Sequence, residues 1–194
     1  MITPIELDGG IELRAIAPGD GAPLAAAYER NRAHLAPWEP ERTPEFFSAS
    51  VQEREVAASL RRLAEGTAIP LVLVERGDRA GGGDGGGEPA GERIVGRVNL
   101  SDLVRGVFQN AHLGYWIDAE RQGRGLATAA VGGALHFARR AGLHRVQAGT
   151  LVHNAASQTV LERNGFTRIG LAPRYLRIAG EWQDHVLFQR LLDD

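Results

Sequence analysis

The feature that most constrains this chain is a change of hydrophobic period across a glycine-bearing turn. Leu113-Gly114-Tyr115-Trp116-Ile117 reads as a strand, and Gln122-Gly123-Arg124-Gly125-Leu126-Ala127 as a turn. Beyond it Leu126, Ala130, Ala134, Phe137 and Ala141 recur on one helical face until Gly142 ends the helix. A helix start carries unpaired N–H groups and a partial positive charge, which suit a diphosphate. Gly123 and Gly125 let backbone approach such a group without an intervening Cβ, Thr128 adds a hydroxyl and Arg124 a charge. Glycines before a helix also make plain structural turns, so the residues alone leave both readings open. A dinucleotide fingerprint fits poorly. Thr128 stands where its third glycine would be, and Val146 to Val152 carries no acid.

The remaining chain supplies alternating elements. Ile11–Ile16 reads as a strand, Pro23 to His34 as an Ala-rich helix, and Ser50 to Ala64 as a second helix with Val51, Val56, Leu60 and Leu63 on its apolar side. Strands are expected at Ile69–Glu75, Ile94–Leu100, Ala111–Ile117, Val146–Val152, Thr167–Ile178 and Trp182–Leu191, with a short helix over Ala155–Arg163. Pro37 and Pro40 keep Leu35–Pro40 out of regular helix. Residues 77–91 hold eight glycines. They lack a Gly-Lys-Ser/Thr ending and a following helix, so a mobile hairpin loop is expected there rather than a phosphate loop. The order predicts one domain over 1–194, a mixed α/β sheet with helices on its faces.

Composition narrows the chemistry. With 194 residues, 43% of them hydrophobic, the chain can bury a real core. It has no cysteine, which excludes disulfides, zinc-finger ligation and a thiol nucleophile. The net charge is −2 and the pI near 6.3, so no direct nucleic-acid partner is expected; all 22 basic residues are arginine, which differs from lysine in geometry but not in sign. No apolar run approaches a membrane span and no signal peptide stands at the N-terminus, which predicts a cytoplasmic protein with no membrane partner. A monomer or homodimer is expected, and no metal.

Several ordered motifs together carry a resemblance. Gln122 to Ala127 resembles the Gln/Arg-x-x-Gly-x-Gly/Ala motif of the GNAT N-acetyltransferase superfamily, and Leu113–Ile117 the strand before it. His153-Asn154-Ala155-Ala156-Ser157 and Leu161-Glu162-Arg163-Asn164-Gly165-Phe166 resemble the family's later block. Asn31 to Pro40, Asn99 to Gly106 and Tyr175 to Leu187 resemble the branch that acetylates the N-terminal alanine of a small-subunit ribosomal protein. The resemblance spans about residues 11 to 190, interrupted by the glycine-rich stretch.

It implies a GNAT fold: a mostly antiparallel sheet whose two central parallel strands splay, with acetyl-CoA as cosubstrate in the opening. Residues Gln122, Gly123, Arg124, Gly125, Leu126, Ala127 and Thr128 would take the pyrophosphate. Amides near Trp116 and Ile117 would lie by the thioester, and Asn154 would bond the pantetheine. The acceptor would be the α-amino group of a protein N-terminus, possibly ribosomal, or else a small amine; a CoA-binding module without turnover is the reading of another class.

An α-amino group has a reference pKa near ~8, so a useful fraction is already neutral at pH 7 and the base has a modest task. Ser157, three residues after Asn154, is the candidate acid for the leaving thiolate, though a serine in a first helical turn is ordinary too. The tyrosine acid that many relatives carry seven residues after that asparagine is Leu161 here. Two bases compete: His112, opening its strand, and Glu39, between two prolines beside Trp38. Trp38, Trp116 and Tyr115 are candidate walls of the acceptor tunnel, or equally plain core. Asp184-His185 lacks an adjacent nucleophile and reads as a strand-end structural pair.

Overall fold

A computed structural model describes residues 2–76 and 92–192. The hairpin loop expected over 77–91 lies outside the described residues. The elements run β1 (Ile5–Leu7), β2 (Ile11–Ala15), α1 (Gly21–Arg30), α2 (Arg32–Leu35), α3 (Ala49–Ala64), β3 (Ile69–Glu75), β4 (Arg93–Val104), β5 (Asn110–Ile117), α4 (Leu126–Arg140), β6 (Arg145–Leu151), α5 (Ala155–Arg163), β7 (Thr167–Ile178) and β8 (Glu181–Leu191). One eight-stranded sheet has the order β1-β2-β3-β4-β5-β6-β8-β7. Every neighbouring pair is antiparallel except β5–β6. The mixed sheet and its flanking helices are those expected.

Three differences from the sequence reading have local causes. The short strand β1 went unanticipated, because three residues give no period; Gly9 and Gly10 turn it back on β2 with φ of 77° and 71°. The helix expected to His34 breaks at Asn31. This buried side chain donates to Ala27 O at 2.9 Å and accepts from the Ala119 amide at 2.9 Å, so the chain turns there and resumes as α2. Strand β4 runs on to Val104, past Leu100, because its pairing with β5 continues across an irregularity.

Capping follows from composition. The Ser48 hydroxyl accepts from the Val51 amide and starts α3. Gly142, at φ 69°, ends α4: its N–H reaches Arg139 O at 2.9 Å, and Leu143 N–H reaches Ala138 O at 3.1 Å while the Leu143 side chain is buried.

The sheet has an apolar cluster on each face. Leu13, Leu71, Leu73, Val98, Leu113 and Ile117 pack with Ala130, Ala134 and Phe137 of α4. On the other face Val72, Val74, Ile94 and Trp116 pack with Leu24 and Tyr28 of α1 and Val56 of α3. Side chains of successive strand residues face opposite ways, so Trp116 belongs to the α1–α3 side and Tyr115 to the α4–α5 side.

A Cβ at Gly96 would come within 2.9 Å of Trp116 O, 3.0 Å of Ile117 Cδ1 and 3.1 Å of Leu73 Cδ1. Gly96→Ala should therefore push β4 from β5 and lower unfolding free energy by ~1–3 kcal/mol, as overpacking does. Urea titration would show an unchanged midpoint if this fit is not tight.

Candidate active site

The central feature is a parting of neighbouring strands. Strand β5 pairs with β6 only at Asn110↔Arg145, Ala111↔Val146 and His112↔Gln147. From Leu113 and Ala148 onward the two strands run unpaired, although β4 stays bonded to β5 and β8 to β6 along their lengths. Gly114 and Gly149, on central strands, are consequently exposed. The Asp118 amide donates to Val95 O at 2.8 Å. Because antiparallel pairing alternates, the N–H groups of Trp116 and Gly114 also point to β4, whereas those of Ile117 and Tyr115 point into the opening. Of the two amides expected near a thioester, Ile117's faces the crevice and Trp116's does not.

A cavity of about 380 Å³ sits at the parting, lined by His112, Gly114, Gln147, Gly149, Tyr175 and Leu187 among others. Tyr175 was not singled out in the sequence. It reaches the site because β7 and β8 fold back across β6, bringing its ring within 3.6 Å of the Cβ position of Gly149. No local period signals such a contact.

The turn after β5 is held by a buried anchor. The Asp118 carboxylate accepts from the Glu120 amide at 3.0 Å and from Arg30 Nε at 2.8 Å, with Arg93 at 3.5 Å. Burial alone would raise its pKa, but the Glu120 amide and Arg30 outweigh that and hold it below the usual carboxylate range. From there the chain enters Gly123 at φ 72° and Gly125 at φ 77°, the N-cap of α4. Among the described residues, the N–H groups of residues 123–128 have no protein acceptor. A Cβ on either glycine would meet nothing within 4 Å. The glycines therefore serve the left-handed backbone, and the space above them is open to an anion. Arg124 is exposed at this turn, while Arg121 beside it is engaged with Glu75 at 2.6 Å. Thr128 lies half-buried in the first turn of α4, its carbonyl accepting from Asn164 at 3.2 Å.

Across the opening, Asn154 caps α5, its Oδ1 accepting from the Ser157 amide at 3.0 Å. Its amide nitrogen has no partner among the described residues and remains a donor. The Ser157 hydroxyl lies 2.8 Å from the Tyr115 hydroxyl, which also donates to Ser157 O at 3.2 Å. Burial pushes the Tyr115 pKa up to about 12, with the Ser157 hydrogen bond opposing. Leu161 is fully buried in the core.

The two candidate bases occupy different cavities. His112 lines the crevice. Glu39 lines a larger hollow of about 640 Å³ with Tyr28, Leu35, Arg42, Phe46 and Phe47. Burial raises the Glu39 pKa, with Arg42 at 3.6 Å acting against it. The aromatic candidates also separate: Trp38 lies tilted against the His153 ring with centroids 5.5 Å apart, Trp116 is buried with Nε1 donating to Tyr28 at 3.2 Å, and Tyr115 is on the opposite face. Asp184 and His185 do not bond to each other. Asp184 accepts from the Arg174 amide at 2.8 Å, and His185 Nδ1 lies 2.9 Å from Gln183 O. Among the described residues no group of three or more His, Asp or Glu is arranged to hold a metal, and no helix is long and apolar enough to cross a membrane.

A helix start with open amides and a crevice between parted parallel strands fit an acyl-CoA-using transferase. The chain belongs to the GNAT acetyltransferase family, whose "Acetyltransferase (GNAT) domain" model matches residues 11–167. It is an acetyl-CoA-dependent N-acetyltransferase. It is 33% identical over 176 residues, 90% of this chain and 84% of the relative, to the [ribosomal protein uS5]-alanine N-acetyltransferase of Escherichia coli (strain K12). The crystal structure of ribosomal-protein-S5-alanine acetyltransferase from Vibrio fischeri superposes with a TM-score of 0.88 at 31% identity, covering 99% of this chain and 98% of that one. Mycobacterium smegmatis RimJ, solved in complex with CoA-disulfide, follows with a TM-score of 0.82 at 27% identity, covering 98% and 86%.

Two outcomes test this geometry. Gly125→Glu should abolish coenzyme A binding in calorimetry, since it forces a side chain into a left-handed position and sets negative charge over the open amides; retained affinity would remove the turn from the site. Asp118→Asn should lower the melting temperature at neutral pH. A depressed carboxyl pKa stabilises the fold above its unfolded value near ~3.9 and ceases to do so as pH falls through the folded value. The difference from wild type should therefore shrink in acid, and a pH-independent difference would refute the electrostatic account.

Proposed function

We propose that this enzyme acetylates the α-amino group of a protein N-terminus, of the ribosomal-protein-alanine type, in the cytoplasm. The observation that carries this reading is the parting of β5 and β6 between an anion-ready helix start and the Asn154–Ser157 cap. The acceptor class rests on the names of the relatives, which cover nearly the whole chain.

In this reading residues 122–128 take the pyrophosphate of acetyl-CoA. The free edge of β5 from Leu113 to Ile117, with the side-chain amide of Asn154, takes the pantetheine. The Ile117 or Tyr115 N–H faces the thioester carbonyl and stabilises the oxyanion as the amine adds. His112, beside the parting, accepts the amine's proton directly or through water. Glu39, in the larger hollow with Trp38 nearby in sequence, supplies negative charge that draws the acceptor's ammonium group. When the tetrahedral intermediate collapses, Ser157 protonates the departing thiolate.

Thiol release from acetyl-CoA should be rapid with a peptide copying a ribosomal-protein N-terminus and slow with small amines. The reverse preference would make the acceptor a small molecule, and CoA binding without release across both sets would mean a module without turnover. Ser157→Ala should lower kcat by ~10–100-fold with little change in acetyl-CoA affinity, at or below the usual range for acid–base groups.

A further inference from the structure

The Tyr115–Ser157 contact has no place in the chemistry so far. Tyr115 stands on the unpaired stretch of β5 and Ser157 in the first turn of α5, so their hydrogen bond spans the two sides of the opening. The Tyr115 ring is largely buried on the α4–α5 face, and its hydroxyl has two acceptors within reach: Ser157 Oγ at 2.8 Å and Ser157 O at 3.2 Å. This choice controls the serine. When Tyr115 donates to the carbonyl, the Ser157 proton is free to point back at the tyrosine. When Tyr115 donates to Oγ, the Ser157 proton must turn away from it.

We infer that Tyr115 is a positioning residue for Ser157, aiming its proton at the departing sulfur and replacing that proton from the phenol. The inference rests on the reading of Ser157 as the acid. The amine nitrogen bonds to the acetyl carbon and the C–S bond breaks, leaving its electron pair on sulfur. Sulfur takes the Ser157 proton, Ser157 Oγ takes the Tyr115 proton, and the phenolate recovers a proton from solvent after the thiol leaves. An aliphatic alcohol is a much weaker acid than a phenol, so serine alone protonates a thiolate poorly. With Tyr115 behind it, the net donor is the phenol. Burial pushes its pKa up to about 12 and so makes it a weaker donor, while its hydrogen bond to Ser157 opposes that shift.

Tyr115→Phe keeps the ring and removes only the hydroxyl. With acetyl-CoA it should lower kcat by ~10–100-fold while KM for acetyl-CoA holds. The Tyr115→Phe, Ser157→Ala double variant should be no slower than Ser157→Ala, because both act on one proton path. With the acetyl thioester of an acidic aromatic thiol, whose thiolate leaves unprotonated, Tyr115→Phe should match wild type in kcat/KM. A merely structural tyrosine would slow both donors alike, and that result would overturn the inference. Wild-type turnover by Tyr115→Phe beside a slow Ser157→Ala would overturn it too, while leaving Ser157 as the acid. Wild-type turnover by Ser157→Ala would sink the reading of Ser157 itself.

Discussion

The structure depends on one interrupted ladder. Seven strand junctions join the eight strands, and the one parallel junction, β5–β6, stops after His112↔Gln147. Backbone N–H and C=O groups inside a protein need partners, so an unpaired edge in the middle of a sheet is unfavourable unless something else satisfies it. Each strand is held from its outer side, β5 by β4 from Leu113 to Ile117 and β6 by β8 through Leu151. The edge thus persists as a slot whose polar groups await water or an amide-bearing ligand. The pantetheine arm of acetyl-CoA is such a ligand, and family membership agrees with the geometry.

The two ends of that slot are built by different physics. At the glycine turn the determinants are local: two left-handed glycines, a run of unpaired amides and the dipole of a 15-residue helix. Their placement is not local, because the turn hangs from Asp118, which Arg30 and Arg93 neutralise from two other elements. Beside the parting of β5 and β6 the groups come from four different elements. His112 and Gly114 arrive on β5, Gly149 on β6, Tyr175 on β7, and Ser157 on α5. The larger hollow is likewise assembled from distant segments, with Ala179 of the β7–β8 hairpin donating to Glu39 O at 3.0 Å.

This division explains what could be read in advance. The strand–turn–helix of residues 113–142 was visible because period and glycine position are properties of neighbouring residues. Ser157 was visible as a residue in the first turn of the helix expected over Ala155–Arg163, and the structure adds that Asn154 caps that helix through a 3.0 Å hydrogen bond to the Ser157 amide. The break of α1 at Asn31 was not, since it turns on a bond to Ala119, 88 residues away. Nor was the facing of the aromatic candidates. Tyr115 and Trp116 are adjacent in sequence, yet strand alternation sends one to Ser157 and the other to Tyr28.

By itself, then, the sequence determined the kinds and order of most elements, the Gly142 stop of α4, the glycine turn before that helix and the family. These follow from hydrophobic period, turn chemistry and motif spacing, which act over a few residues at a time. Tertiary structure alone decided where β5 and β6 part, which amides face the gap, that His112 and Glu39 occupy separate cavities, and that Tyr115 meets Ser157. Those outcomes depend on strand register and on side chains brought together across the sheet, and no short stretch of chain carries that information.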